Sequence, residues 1–368
     1  MVGTSSIRLC STKYECYFPL PSSLFHRTMK NIIIILIITC LFTSCKSLVT
    51  DIDIPYHDRL VVQCFISPQD TLLEVSVTQT APVIGTVLDG TERYPNILNA
   101  NVVLSDGQNS VTIPYKTLQL PSAYDADGEY IFTARSRYFL SAKNLPIIAG
   151  KNYSLKISAP GFESVESSCI IPTKVVSEKD IMSIQTSITG NIGRGATGTF
   201  PSIEVRFKDI EGEESFYSVG QFFYQKGTYI DATGAKKIRV NWTTKYEYIS
   251  DKGQENKTIV ALPFDLRSFN NFSSFGGNGN GAGGINGGGQ QAGGGNNNNV
   301  PVTVTDRYNE IYIANTDKAY YFYNTAIDKI RKANGNPFAE PVLTYTNIKN
   351  GLGVMAGYNQ SRIVVKVN

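Results

Sequence analysis

Residues suited to nucleophilic, general-base or metal chemistry are scarce in this 368-residue sequence, which has six cysteines and two histidines. His57 lies in a polar stretch that cannot hold an imidazole within hydrogen-bond reach of a target, so it is a poor general base. Hydrolases that use Ser-His-Asp or Cys-His groups and histidine-rich metal sites are therefore disfavoured. A glycan hydrolase with two carboxylates needs no histidine and stays open, with Asp209 and Glu213 as candidates that no spacing supports.

Among the six cysteines, Cys45 is the one whose preceding residues best match a known motif. An apolar run at 32–42 follows a Met-Lys-Asn start at 29–31, and Thr43 and Ser44 separate this run from Cys45. The run is shorter than the ~20 apolar residues of a membrane-spanning helix, so it predicts an export signal. Small residues before a cysteine resemble the lipobox of bacterial lipoproteins, in which the thiol receives diacylglycerol and becomes the new N-terminus.

The N-terminal region consists of three predicted segments, and Cys45 begins the last of them. We predict that residues 1–28 are an extension from a wrongly assigned start codon, that 29–44 are the lipoprotein signal peptide, and that 45–57 are a lipidated tether. Phe42 departs from the usual Leu, Val or Ile of the motif, which leaves a simple secretory signal as the alternative. The membrane would then be a partner through the lipid anchor, and the protein would be exported and held at the outer membrane.

Two cysteines, Cys64 and Cys169, remain beyond the lipidated one, and both lie in strand-like runs. In an exported protein they could form a disulfide. The alternative is that both are buried thiols that behave as small hydrophobic side chains. The sequence leaves both open.

The charge of the chain argues against nucleic acid as a partner. The formal net charge is +3, and the residues before Cys45 account for this surplus. The remaining body is neutral and has no basic stripe, so it lacks the electrostatic footprint of phosphate binding. With 42% hydrophobic and 18% charged residues, the body can bury sizeable cores.

The region 58–173 alternates short β-rich runs with turn signals, a pattern typical of a β-sandwich. Asp106-Gly107 predicts a hairpin, since glycine supplies the positive φ of a tight turn. The predicted strands are 60–66, 72–77, 100–104, 110–115, 130–133, 153–158 and 165–171.

A short acidic segment in this region places Asp125, Asp127 and Glu129 at alternate positions. The spacing is that of the start of a calcium loop, but the later bidentate carboxylate of a full EF-hand is missing. A solvated turn is the preferred interpretation, and bound calcium is the alternative. No other metal site and no cofactor are predicted.

A second β-rich domain is predicted over 174–368, with one helix at 316–333 and a disordered Gly/Asn-rich insertion at 273–300. The helix is indicated by Tyr320, Tyr323, Ile327 and Ile330, which fall on one stripe. The predicted strands are 202–208, 216–224, 238–248, 258–263, 302–305, 311–314, 342–346 and 363–367.

Aromatic residues concentrate in this second region, and Trp242, Tyr246 and Tyr224 are the candidate binding residues. Alternation along 240–246 would place one set on a single face of a strand. Core packing and cross-strand pairing explain most of these aromatics. A stacking platform for a sugar or another planar ligand is the alternative.

Several segments together resemble one family of Bacteroidota lipoproteins, that of the domain of unknown function 4249. The resemblance is carried by the leader and by the segments 59–66, 99–104, 149–155, 160–161, 336–342 and 346–358. It implies an envelope lipoprotein with an N-terminal immunoglobulin-like β-sandwich, often encoded near TonB-dependent outer-membrane receptors. These motifs are structural and indicate no catalytic residue.

We therefore expect a mainly β protein whose immunoglobulin-like sandwich precedes a second β-rich domain with one packed helix. The expected function is that of a non-enzymatic outer-membrane lipoprotein that assists a TonB-dependent transporter, with a small nutrient or a glycan as ligand. The alternatives are the carboxylate-based glycan hydrolase and a purely structural or adhesive envelope protein.

Overall fold

A computed structural model describes residues 57–80, 95–125, 129–193, 196–212, 214–231, 233–253, 257–265, 303–333 and 342–366. The predicted leader, Cys45, the tether up to residue 56, and the Gly/Asn-rich insertion lie outside these ranges. From His57 onward the chain forms one compact unit.

Eight strands come from the first half of this unit. In β1, apolar residues at alternate positions are buried because successive side chains of a strand point to opposite faces. The strands are β1 (Leu60–Ile66), β2 (Leu72–Gln79), β3 (Asn101–Ser105), β4 (Ser110–Thr112), β5 (Tyr115–Tyr124), β6 (Tyr130–Ser141), β7 (Asn152–Ser158) and β8 (Val165–Ile170).

The first half forms a β-sandwich, as the sequence predicts. Strands β4, β3, β7 and β8 make a four-stranded sheet that packs on β1, β2 and β6 across a shared apolar core. Cys64 of β1 and Cys169 of β8 are both buried in this core and carry no bond to each other in the structure. The predicted Asp106-Gly107 hairpin joins β3 to β4, and Gly107 has φ of 88°.

The second half adds further strands around a second core. The strands are β9 (Ile181–Gly193), β10 (Ala196–Lys208), β11 (Phe216–Ile230), β12 (Lys236–Ser250), β13 (Thr258–Asp265), β14 (Thr303–Thr316) and β15 (Leu352–Lys366). Strands β13, β10 and β9 form a three-stranded sheet. Its apolar residues pack against β11 and β14, with Phe207, Tyr217 and Phe223 among the buried side chains.

One eight-stranded sheet runs through both halves in the order β12-β11-β14-β15-β1-β2-β6-β5. The first part of β15 pairs with β1 in parallel, and the rest of β15 pairs with β14 antiparallel. The predicted boundary at residues 173 and 174 therefore needs correction, since the two halves have separate cores but share a strand and a sheet. Local patterning could not reveal this pairing because its partners lie far apart in the sequence.

A single helix, α1 (Lys318–Ala333), occurs among the described residues, as predicted at 316–333. Tyr323 is buried against β15, and Tyr320 and Ile327 pack around it, whereas Ile330 is exposed. Met355 of β15 belongs to the first core, and Val354 and Ala356 contact α1. The helix thus covers the face of the large sheet that is turned away from the first core.

Other boundaries differ from the prediction. Residues 342–346 are not a strand, and the two runs predicted at 302–305 and 311–314 belong to the single strand β14. Strands β5 and β9 were not predicted, because their polar and small residues hide a strand pattern. Within the described ranges, no helix has the length and apolar character to cross a membrane.

Candidate functional site

The candidate site is the face of β12, β11, β14 and β15 on the same side of the sheet as α1, which we call the aromatic face. The strand register aligns its side chains in rows across the sheet. The three rows are Trp242–Tyr224–Tyr308, then Thr244–Phe222–Glu310–Val364, then Tyr246–Gly220–Tyr312–Arg362.

The period of two along each strand separates this face from the core. On β11, Val219 and Phe223 point into the second core and are almost completely buried. Phe222 and Tyr224 alternate with them and so lie on the opposite side, on the aromatic face. The same alternation on β14 separates buried Ile311 from Tyr308 and Tyr312.

The first row and Phe222 of the second row form a compact aromatic group. The rings of Tyr224 and Tyr308 stack with centroids 4.9 Å apart, and Phe222 lies 6.2 Å from Trp242. Aromatic pairs at such distances contribute about 0.5–1.5 kcal/mol beyond their burial. Burial is the main cause that raises the pKa of the Tyr224 and Tyr308 hydroxyls.

The tip of the β5–β6 hairpin forms one wall of the aromatic face. The Tyr124 ring lies 5.1 Å from Tyr224 and 6.2 Å from Trp242, and its hydroxyl donates to the Tyr130 hydroxyl at 3.0 Å. Strands β5 and β12 are the two edges of the eight-stranded sheet. The sheet therefore bends until residues near its two ends are in contact.

Helix α1 forms the opposite wall. The Tyr320 ring packs 5.2 Å from Phe65, 5.5 Å from Tyr358 and 6.4 Å from Tyr248, and Tyr321 lies 4.9 Å from Phe216. The wall is held by Asp317, whose carboxylate accepts from the backbone N–H of Tyr320 and of Gly357 at 2.8 Å each.

The floor between the two walls is open to solvent. Tyr246 is 58% exposed and Val364 is 53% exposed. Gly220, opposite Tyr246 in the register, is approached by one edge of the Tyr246 ring: a Cβ atom built at residue 220 would lie 2.8 Å from Cε1 of Tyr246. Desolvation by the surrounding side chains raises the pKa of Tyr246.

A charged group lies on the same floor, on β14 and β15. Arg362 forms a two-point ion pair with Glu310, and the Tyr312 hydroxyl also donates to Glu310. Burial opposes ionisation of Glu310, but the hydrogen bonds from Arg362 and Tyr312 prevail and lower its pKa. The Arg362 side chain is 56% exposed, so part of its guanidinium faces solvent.

Of the predicted binding residues, Trp242 and Tyr224 occupy one row and Tyr246 lies two rows away on the same face. The sequence analysis missed Tyr124, Tyr308 and Tyr312. Alternation of Tyr308, Glu310 and Tyr312 with buried Ile311 was the signal that could have found two of them. Tyr124 carried no local signal, because its contact with β11 and β12 depends on the bending of the sheet.

Two of the three proposed calcium residues, Asp125 and Glu129, are joined by a hydrogen bond. The Asp125 carboxylate accepts from the backbone N–H of Glu129 at 2.8 Å, and Asp127 lies outside the described residues. No group of three or more His, Cys, Asp or Glu side chains placed to hold a metal occurs in the part of the chain that the structure describes.

The proposed hydrolase carboxylates differ in what the structure describes. Asp209 is buried, and it accepts a hydrogen bond from the Tyr217 hydroxyl at 2.6 Å. Asp209 therefore has a structural role, because it binds the hydroxyl of Tyr217, a residue of the second core. Glu213 lies outside the described residues.

A family model described as a domain of unknown function (DUF4249) matches residues 49–363. No protein with a curated description matches the chain.

Proposed function

We propose a binding role without catalysis for this chain, which belongs to the DUF4249 family. The observation that carries the proposal is the aromatic face, where Tyr246 and Arg362 are open to solvent between two walls of packed aromatic rings. Recessed sites that combine aromatic rings with a few fixed polar groups are typical of ligand recognition. The described part of the face presents a bidentate ion pair and tyrosine hydroxyls.

The proposed location is the outer membrane, where acylation of Cys45 would tie the body to the bilayer. Confinement to a membrane raises the effective concentration of the protein near a membrane-bound partner without tight intrinsic affinity. A TonB-dependent transporter is the proposed partner, in line with the resemblance of the chain. The body would then capture a small nutrient or glycan beside the transporter.

The β5–β6 hairpin offers a surface for that partner. Tyr130 and Phe132 alternate along β6, with ring centroids 6.3 Å apart, and are 56% and 57% exposed, whereas Ile131 lies between them on the other face. An exposed apolar group of this kind marks a site of interaction when it is held rigidly. Here the contacts of Tyr124 with Tyr224 and Trp242 hold the hairpin tip in place.

Affinity purification of the full-length lipoprotein from solubilised outer membranes tests this function. A transporter should co-purify with the wild type, and the Cys45→Ser variant should leave the membrane fraction and lose the transporter. Phe132→Glu should lose the transporter but stay in the membrane, with Val260→Glu on β13 as the exposed control. Recovery of the wild type without any transporter would refute the proposed partner.

The same purified protein separates the remaining alternatives. Release of reducing sugar from a glycan, abolished by Asp209→Asn in a variant that folds normally, would establish the hydrolase instead. If neither a transporter nor a ligand is found, a structural or adhesive role remains.

A further inference from the structure

The Tyr246 ring packs against the neighbouring strand and is otherwise largely open to solvent. Only the absence of a side chain at Gly220 lets one edge of the ring approach this strand, since a Cβ atom there would meet Cε1 at 2.8 Å and Cδ1 at 3.1 Å. A glycine opposite an aromatic residue gives the ring room to pack on the neighbouring strand. With 58% of its surface exposed, Tyr246 presents an aromatic surface on which a ligand can stack.

Polar groups of fixed geometry lie in the same row as Tyr246. Tyr246, Gly220, Tyr312 and Arg362 belong to one row, so Arg362 stands three strands away, or about 14 Å along the row at ~4.8 Å per strand. Glu310 engages one edge of the guanidinium and leaves its remaining N–H groups available to solvent.

We propose that this row is a carbohydrate site, which binds a neutral oligosaccharide by stacking a sugar ring on Tyr246 and by hydrogen bonds from Arg362 and its neighbours to hydroxyl groups. The proposal rests on the binding function above and specifies its ligand class. The apolar face of a sugar ring packs on an aromatic ring, and its hydroxyl groups need donors and acceptors around the rim.

The charge on the floor favours a neutral ligand. The Arg362 charge is already compensated by Glu310, and Tyr312 donates to the same carboxylate. A carboxylate or phosphate ligand would therefore compete with Glu310 for Arg362. A purely apolar ligand would cover the ion pair without replacing its contacts with water, which is unfavourable.

The hairpin wall lies in a second direction from Tyr246, along β12 and at right angles to the row that leads to Arg362. Trp242 lies four residues from Tyr246 on β12, which is about 14 Å along the strand. The Trp242 ring is only half-buried, against Phe222 and Tyr124, so a chain of several sugar units that stacks on Tyr246 can reach the hairpin wall. This geometry favours an oligosaccharide over a monosaccharide.

The chain contains its own reporter, because Trp242 is its sole tryptophan. The tryptophan fluorescence of the wild-type protein should be measured while neutral hexasaccharides of glucose, xylose and mannose in different linkages are added. Polygalacturonate and heparin serve as acidic comparisons. At least one neutral saccharide should give a saturable change that the corresponding monosaccharide reproduces only at much higher concentration.

Variants assign the signal to the row. Tyr246→Ala should weaken binding about fivefold to tenfold, and Tyr246→Phe should bind within about twofold of the wild type because the ring is kept. Arg362→Gln should weaken binding by a similar factor. Tyr229→Ala, which removes a tyrosine of β11 that contacts Arg239, is the control and should leave binding unchanged.

Three results would overturn the proposal: no fluorescence change with any neutral saccharide, tighter binding of the acidic polymers, or neutral binding that Tyr246→Ala leaves intact in a folded variant. Thermal unfolding of each variant shows whether it folds. Recovery of the transporter with Tyr246→Ala is measured in parallel, so that a failed carbohydrate site is distinguished from a failed partnership.

Discussion

Gly353 of β15 lies directly against the backbone of Val62 on β1, its partner in the parallel pair. A Cβ atom at residue 353 would be 1.9 Å from the Val62 carbonyl oxygen, and Gly353 has φ of 103°. Both the backbone conformation and the close approach therefore require glycine at this position.

Gly353→Ala should destabilise the protein by at least about 4 kcal/mol, since backbone atoms cannot move aside as a flexible side chain can. Gly107→Ala is the matched control, because Gly107 also has positive φ but has no atom within 4 Å of the added Cβ. It should cost only about 1–2 kcal/mol of backbone strain. Urea unfolding measures both, and equal losses would show that the contact with Val62 is unimportant.

Asp317 should be the polar residue on which the position of α1 most depends. Replacement by Ala removes its hydrogen bonds to the N–H groups of Tyr320 and Gly357, and should cost about 1–2 kcal/mol in the free energy of unfolding. Asp328→Ala removes only an exposed ion pair with Lys332 and should cost at most about 0.5 kcal/mol. A larger loss in the Asp328 variant would contradict this assignment.

Asp70 predicts a dependence of stability on pH. Burial raises its pKa to about 6, although hydrogen bonds from the Tyr358 hydroxyl and the Ser67 N–H partly oppose the shift. A carboxyl whose pKa is raised in the folded state stabilises the fold at low pH, and this stabilisation is lost as the pH rises through 6. From pH 5 to pH 7 the free energy of unfolding should fall by about 1 kcal/mol through this group.

The Asp70→Asn variant tests the assignment, because an amide does not titrate. Its free energy of unfolding should fall less between pH 5 and pH 7 than that of the wild type. Some decrease should persist, since burial also raises the pKa of Asp317 to about 6. Parallel slopes for the two proteins would exclude Asp70 as the titrating group.

Cys64 and Cys169 should resist alkylation in the folded protein. Burial raises the pKa of Cys64 to about 12 and raises that of Cys169 as well, so that neither forms the reactive thiolate at neutral pH. Iodoacetamide should label both only after unfolding, as measured by peptide mass spectrometry. If labelling in denaturant also required a reductant, the pair would be a disulfide.

The alternating patterns of the sequence predict most strands and the helix, because those patterns record which face is buried. Strand β1 is an example, with its apolar spacing matching its buried face, and in helix α1 the predicted stripe agrees at Tyr323 but fails at the exposed Ile330. Strand β5 is the opposite case, since both of its faces are largely exposed and its polar residues give no alternation.

The candidate site was only partly predictable for a related reason. Trp242 and Tyr246 share one strand, so their common face follows from their even spacing. Their neighbours Tyr308 and Arg362 depend on the register of three strands, and Tyr124 depends on the curvature of the whole sheet. The sequence contains no local record of these relationships.

The shared strand β15 also affects how the protein can be made. Its residue Asn359 accepts a hydrogen bond from Gln69, which is 290 residues away in the chain, and β1 has no parallel partner until β15 has been synthesised. Contacts between such distant segments form slowly. The central sheet therefore stays incomplete until the last strand has been synthesised, and the order of synthesis keeps the two halves of the protein from joining early.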